Sequence, residues 1–542
     1  MLPPTVDLLD AIPHRRVDVE AVDHALLFAF AGSGAGGLFV DALDAAPAPT
    51  STWSPEGYAE DLFLAPLLRS CFRLPAIGGH KTPLALTHLL RVVASPPEDP
   101  DSVVFRRAIL AELVASEPLR AALTSTYDAL NRFRQRIEGN AVADRIDPSR
   151  RQLDVLGCFR DLIETMAEGF ATATSGLSRL RDYAERVRGL EAYRALVDLL
   201  SYDDRMATVS FRVRIGADGR VRDLELIAVE EDGKNPFVSS PMRRWQAKLE
   251  LLFRGYRFGD GEVMARLLDA VYEGIRPELP ALVQLFGDLE LYLGALGFRD
   301  RALEAGLEVC LPELAGDGPR RLIRLFNPLL LASGIEPVPC DVDSDRHDTS
   351  VLITGPNSGG KTRLLQSLGL SQLLAQGGLF VPAAEARLVA SSGLLVSLIQ
   401  HTSVDQTEGR LGVELMRIRS LFERLPIGAM VILDELCSGT NPSEGEEIFE
   451  LVLRMLDRLE PQAFITTHFL RFAARLERDA PVESLRFLQV VLGPNQVPTY
   501  QFAPGVATTS LAAQAAARLG VTGDQLLALI DERRQAFALA GE

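Results

Sequence analysis

The octapeptide GPNSGGKT (Gly355–Thr362) gathers three kinds of chemistry in one turn of chain. Gly355, Gly359 and Gly360 let the backbone curl until several N–H groups converge on one anion. Lys361 adds a mobile ammonium, and Thr362 adds a hydroxyl suited to a hard divalent cation. Pro356, Asn357 and Ser358 fill the loop, and the spacing is GxxxxGK[ST]. Lysine is scarce here: four of the 56 basic residues are lysine (Lys81, Lys234, Lys248, Lys361), so one placed between glycines and a threonine stands out. An apolar run, Val351–Ile353, precedes the loop, and a helical pattern follows from Thr362 to about Ala375. Strand, loop, helix is the context that separates a phosphate loop from a glycine-rich turn. The helix N-terminus adds partial positive charge. Lys361 is expected to reach β- and γ-phosphates, and Thr362 to ligate Mg²⁺.

Two further apolar runs end in polar groups. MVILDEL (Met430–Leu436) reads as a buried strand presenting Asp434 and Glu435 at its carboxyl end, the edge where parallel α/β sheets bind ligands. Asp434 is placed to hold Mg²⁺ through water, and Glu435 to orient or deprotonate the attacking water. AFITTHF (Ala463–Phe469) reads as a neighbouring strand ending in His468, which can hydrogen-bond the γ-phosphate or that water.

Around these residues the chain has three regimes. Residues 1–54 are mixed and end in a Pro/Ala/Ser-rich linker beginning at Asp44. From 55 to 205 the pattern is helical: Leu119, Leu123, Leu130, Phe133 and Ile137 make one stripe, and Leu177, Leu180, Ala184 and Val187 another. Between 206 and 240 the period changes to two, with Val209, Phe211, Val213 and Ile215 alternating before the turn GADG (Gly216–Gly219), which predicts a β-hairpin. Helical periodicity returns over 241–320, with Leu282, Phe286, Leu289, Leu293 and Leu296 in register. From 321 to 542 short apolar runs alternate with helices, the pattern of an α/β domain with parallel strands.

Bulk properties bound the function. The 542 residues are 47% hydrophobic and 24% charged, as expected of a chain that buries a large core, and the net charge of −17 argues against a surface coated with positive potential. The five cysteines are scattered with no C-x-x-C pair, which suits a reducing interior, and MLPPTVDLLD has no secretory pattern, so a cytoplasmic protein is expected. The apolar stretch Ala25–Val40 is short and broken by glycines, which predicts a buried segment rather than a membrane span.

Taken together, TGPNSGGKT, LLAQGGLFVPA (Leu373–Ala383), LDELCSGTNPSEG (Leu433–Gly445) and ITTHF resemble the ATPase domain of the MutS mismatch-repair family, a branch of the ABC ATPases. FNPLL (Phe326–Leu330) resembles that domain's lead-in, and GVATTSLAAQAAARLGV (Gly505–Val521) its C-terminal dimer-contacting helices. The resemblance covers about 323–530, and the helical arms match the family's core, lever and clamp regions in layout. It implies a multidomain chain: an all-α core/lever region with an inserted β-hairpin, followed by an α/β P-loop ABC-type ATPase domain. It implies ATP and Mg²⁺ as ligands and a homodimer with two ATP molecules between the ATPase domains. Ser438, Gly439, Thr440 and Asn441 would lie at that seam. Three departures matter. Too few residues precede the helical region for the mismatch-reading domain, and YAE at Tyr58–Glu60 and Tyr183–Glu185 imitates its Phe-x-Glu wedge by chance. The signature segment carries Gly409 and Arg410 near the place of the family's serine, so Arg410 would lend charge to a partner's γ-phosphate or closure would be weak. No nuclease domain is expected after Glu542.

Duplex or branched DNA is the partner the resemblance implies. Arg205–Arg257 holds eleven basic and seven acidic residues, and Arg212, Arg214, Arg220 and Arg222 on the hairpin could grip phosphates. The alternative is a nucleotide-gated ATPase that reshapes a protein partner and does not bind DNA. A transporter subunit is disfavoured, because no LSGGQ-type signature is present.

Overall fold

The computed structural model describes residues 5–32, 36–76, 84–139, 148–204, 208–215, 221–230, 260–398, 410–437, 441–480, 482–508 and 520–539. The chain divides into two compact units. One comprises Met1–Leu8, Ile12–Pro47 and Glu112–Leu289; the other comprises Leu9–Ala11, Ala48–Ala111 and Glu290–Glu542. The second unit therefore takes in residues 48–111, of which the linear pattern alone groups 55–111 with the helical arm.

In the first unit the helices Glu117–Glu138 and Pro148–Gly169 pack along each other, with Ser178–Arg188, Glu191–Asp204 and Asp260–Ile275 beside them. The predicted stripes are the buried faces: Leu119, Leu123, Leu130, Phe133 and Ile137 on one helix, Leu180, Ala184 and Val187 on another. Aromatic rings fill the space between them. Phe39 meets Phe133 and Phe286 edge-on, and Phe30 stacks on Tyr272 with ring centroids 3.8 Å apart. Tyr183 is buried, its hydroxyl donating to Glu278 O at 3.1 Å, so it is a core residue and not a wedge for a duplex. Within Ala25–Val40 the structure has the helix Val19–Phe30 and the start of a second, Leu38–Ala45, opened by Gly37 at φ 91°. The run Leu268–Glu304 is long and apolar enough to cross a membrane, yet 89% of its most apolar window is buried within the protein, as in a core helix.

Strands β1 (Thr208–Ile215) and β2 (Val221–Glu230) pair antiparallel. Their register sets Arg212 opposite Glu225 and Arg214 opposite Asp223, a detail that strand parity alone could not supply. Arg222 falls where the register shifts beside Ile215, and Arg220 and the GADG turn lie outside the described residues.

The second unit is built on two sheets. A four-stranded sheet has the order β3 (Glu313–Ala315), β7 (Glu385–Val389), β4 (Arg320–Leu325), β5 (Cys340–Ser344). A six-stranded sheet has the order β12 (Pro498–Pro504), β11 (Leu485–Leu492), β6 (Ser350–Thr354), β10 (Gln462–Thr466), β9 (Met430–Leu433), β8 (Leu394–Ser397). From β8 to β11 all neighbours are parallel, and only β12 is antiparallel. β6, β9 and β10 are buried throughout, which is why their sequences read as unbroken apolar runs.

In the first unit the amino-terminal segment is held by charge. Arg16 donates to Asp7 Oδ1 at 2.7 Å and to Asp288 Oδ1 at 2.6 Å, and Leu8 N donates to Asp288 Oδ2 at 3.0 Å. Both carboxylates are fully buried. Burial pushes the Asp288 carboxyl up to about 6, with Arg16 opposing and Asp7 reinforcing the rise. A carboxyl raised on folding favours the fold most below its unfolded value, and that contribution is lost as pH climbs towards 6. Asp288→Asn removes this falling component. Between pH 4 and 7 its stability relative to the parent should therefore rise, by on the order of 1–3 kcal/mol. Urea unfolding followed by circular dichroism at several pH values checks this.

Candidate nucleotide site

The parallel order of the six-stranded sheet brings the carboxyl ends of β6, β10 and β9 side by side. The loop Gly355–Gly360 leaves β6 under the side chain of Val490 on β11. A Cβ on Gly355, which sits at φ 141°, would lie 2.6 Å from Val490 Cγ2, and one on Gly359 would lie 2.9 Å from Pro356 O. The cradle is closed to any side chain at those two positions. Ser358 holds a left-handed conformation at φ 68° without being glycine.

Gly360, at φ 90°, opens the helix Lys361–Gln376 and offers no side-chain cap. The contrast with the helix Pro442–Asp457 is direct, because there Asn441 accepts from Ser443 N at 3.2 Å. A helix start without a cap leaves first-turn N–H groups pointing outward, and together with the helix dipole these favour an anion. From Leu364 to Ala375 every residue of this helix is buried, so its position is fixed by the core on all sides.

Lys361 is 6% exposed and its Nζ donates to Gly355 O at 3.0 Å and Pro356 O at 3.1 Å, with Asn357 Oδ1 at 3.5 Å. Burial pulls its ammonium below the ordinary lysine range, and the charges of Glu435 and Asp434 push it back. Thr362 Oγ1 donates to Asp434 Oδ2 at 2.7 Å. The other carboxylate oxygen of Asp434 accepts from the Thr466 hydroxyl. That same hydroxyl oxygen accepts from Glu435 N at 2.8 Å. Glu435 itself sits at φ 48°. A hydroxyl beside a carboxylate, next to a buried ammonium and uncapped amides, is a donor set that fits a triphosphate with Mg²⁺. Thr362 and Asp434 would hold the metal.

His468 follows β10, is exposed, and lies against the Phe469 ring with centroids 4.2 Å apart. Arg410 is the first residue of the helix Arg410–Arg424. Ser438, Gly439 and Thr440 lie outside the described residues. Asn441 has a local task as the helix cap described above. Tyr58 is fully buried, its hydroxyl bonded to Ala94 O, so the first YAE segment is core as well.

Two residues escaped the sequence reading. Thr466 joins Asp434 and Glu435, and its signal was available in ITTH, as a hydroxyl at a strand's carboxyl end. Tyr500, at φ 60° and 45% exposed, places its ring beside the cradle, with Cδ1 3.2 Å from where a Cβ on Gly360 would stand. Nothing local marked it, because the pairing of β12 with β11 is what carries it there.

The sequence model of MutS domain V matches residues 351–532, the span that contains every part of this site. Over residues 351–532 the chain is similar to the MutS family. Similar proteins include the endonuclease MutS2 of Streptococcus mutans, 33% identical over 218 residues, which is 40% of this chain and 27% of that protein. The endonuclease MutS2 of Streptococcus thermophilus is 30% identical over 265 residues, 48% of this chain and 32% of that protein. That of Streptococcus pyogenes is 29% identical over 262 residues, 47% of this chain and 32% of that protein. The chain thus spans about a third of the length of these relatives.

Lys361→Ala deletes the buried ammonium that would make charge-assisted contacts to a bound phosphate. Its affinity for Mg·ATP should fall by roughly 10–100-fold, from about 1.5–3 kcal/mol of lost interaction. Fluorescence titration with a labelled ATP analogue measures it.

Proposed function

We propose that this chain binds ATP with Mg²⁺ through a P-loop ABC-type site and hydrolyses it, driving a dimeric clamp that acts on duplex or branched DNA in repair or recombination. The observation that carries the reading is the Lys361–Thr362–Asp434 constellation at an uncapped helix start. Bound ATP and Mg²⁺ would supply the scissile phosphoanhydride and the charge that neutralises it. Lys361 binds the phosphate tail. Asp434 and Thr362 hold the metal. Glu435, fixed at its backbone by Thr466, takes the proton of the attacking water, with His468 at the γ-phosphate side. The Tyr500 ring offers a flat face for the base.

Dimerisation is supported by the helix Gly523–Leu539, where Leu526, Leu527, Leu529 and Ile530 are 41–59% exposed. An apolar face of this kind on a terminal helix fits a second copy, with Arg410 and the 438–441 loop completing the partner's site. A nucleic acid is supported by the similar proteins being named endonucleases, and DNA by the resemblance to the MutS domain and the local basic excess of the segment Arg205–Arg257. The register is the observation that favours a second reading. With Arg212 and Arg214 each opposite an acidic residue, the hairpin is less positive than its arginines imply, and a nucleotide-gated ATPase acting on a protein partner needs no such patch.

ATP hydrolysis at low salt, with and without duplex and branched DNA, tests the function. Turnover should rise with DNA, and the rise should vanish in Arg212→Glu/Arg214→Glu. Glu435→Gln should bind ATP and lose roughly 100-fold or more of turnover. A rate indifferent to every DNA form, with no gel shift, would leave the protein-partner reading. Leu527→Glu/Ile530→Glu should turn a dimer into a monomer in sedimentation velocity, because charge cannot be buried against the apolar face of a second copy.

A further inference from the structure

Residues 48–64 carry no nucleotide motif, yet they belong to the same compact unit as the site. Trp53 is buried and its Nε1 donates to Ser391 O at 3.3 Å. Tyr58 packs edge-on against Trp53, with centroids 5.8 Å apart. Leu62, fully buried, reaches the middle of the helix Lys361–Gln376 at Gly369. A Cβ on that glycine would stand 2.8 Å from Leu62 Cδ2 and 3.0 Å from Ile432 Cδ1 on β9. A mid-helix glycine costs about 1 kcal/mol relative to alanine, and here the space it leaves is taken by Leu62.

The neighbouring Asp61 makes the sharper contact. Its Oδ1 accepts from Leu398 N at 2.7 Å, just past the end of β8. Asp434 N donates to Ser397 O at 3.0 Å. The Ser397 carbonyl and the Leu398 N–H are the two ends of one peptide group. A single peptide plane is therefore held by the Asp61 carboxylate on one side and by the backbone of Asp434 on the other. A carboxylate pulling on the N–H polarises the carbonyl and strengthens the bond that the carbonyl accepts.

We infer that Asp61 is a positioning residue for the metal side of the site. It orients the Ser397–Leu398 peptide, the peptide anchors the Asp434 backbone, and that anchor sets the carboxylate that faces Thr362. Asp61 acts on that side through the peptide it bonds. The inference rests on the Mg·ATP reading above. It also gives this segment a task, since displacement of Asp61 would pass through that peptide to the Asp434 backbone.

The test uses the full chain and fluorescence of a labelled ATP analogue, titrated with Mg²⁺ and, separately, measured in EDTA. In Asp61→Ala the Mg²⁺ concentration for half-maximal gain in affinity should rise about tenfold, the size expected when an outer support of a ligand is removed. Affinity in EDTA and the melting curve should stay as in the parent. Asp61→Asn should restore the parent's Mg²⁺ response, because its amide oxygen still accepts from Leu398 N. Should Asp61→Ala fail to fold, Asp61→Glu keeps the charge and displaces the carboxylate by one methylene, and it should raise the Mg²⁺ requirement in the same direction. A Mg²⁺ titration in the folded variant that overlays the parent's, or an equal loss of affinity in EDTA, overturns the positioning role. A parent chain with no Mg²⁺-dependent ATP binding would instead sink the nucleotide reading itself.

Discussion

The start of one buried helix has backbone donors that no side chain of its own receives. Gly360 leaves the first turn of Lys361–Gln376 uncapped, and the glycines before it keep the space above that turn free of Cβ atoms. First-turn N–H groups without a side-chain cap, beside an ammonium held by the loop carbonyls, make this helix start favourable to an anion. The rest of the unit serves this constraint. Val490 closes the loop from one side, and the all-buried strands hold the acidic pair on the other.

Asp434 is the second fixed point, and it is held from several directions. Thr362 and Thr466 bond its carboxylate, and the Ser397 carbonyl holds its backbone. Three parallel strands end at this level, so groups far apart in sequence meet within hydrogen-bond distance without any long loop. On the acidic side, two threonines, an aspartate and a glutamate are thereby brought together. Positions on strand ends are also more rigid than positions on loops, which would suit Asp434 as a metal ligand.

The helical unit follows a different logic. Its core is aromatic and aliphatic, and the charged groups inside it, Arg16 between Asp7 and Asp288, tie the amino-terminal segment to a long helix. Arg16 bonds both buried carboxylates, and the raised Asp288 carboxyl is chiefly the mark of its burial, which Arg16 opposes. Such a network specifies where a segment sits more than it adds to stability.

The sequence alone determined those features that depend on local pattern. Period-two alternation placed β1 and β2, and 3.6-residue stripes placed the buried faces through Leu119–Ile137 and Leu282–Leu296. Glycine, lysine and threonine at fixed spacing placed the tight loop between β6 and the helix Lys361–Gln376, because its conformation is set by residue type over a few positions. Other features depended on which strand lies beside which, and only the tertiary structure decided them. Strand order brought Thr466 between Asp434 and Glu435 and swung Tyr500 to the cradle. Register turned an arginine-bearing strand into one faced by acidic positions. Long-range packing drew residues 48–111 into the unit of the nucleotide site and set Asp61 against a peptide beyond β8. None of these contacts leaves a periodic trace, since each is made between residues hundreds or tens of positions apart whose own neighbours look ordinary.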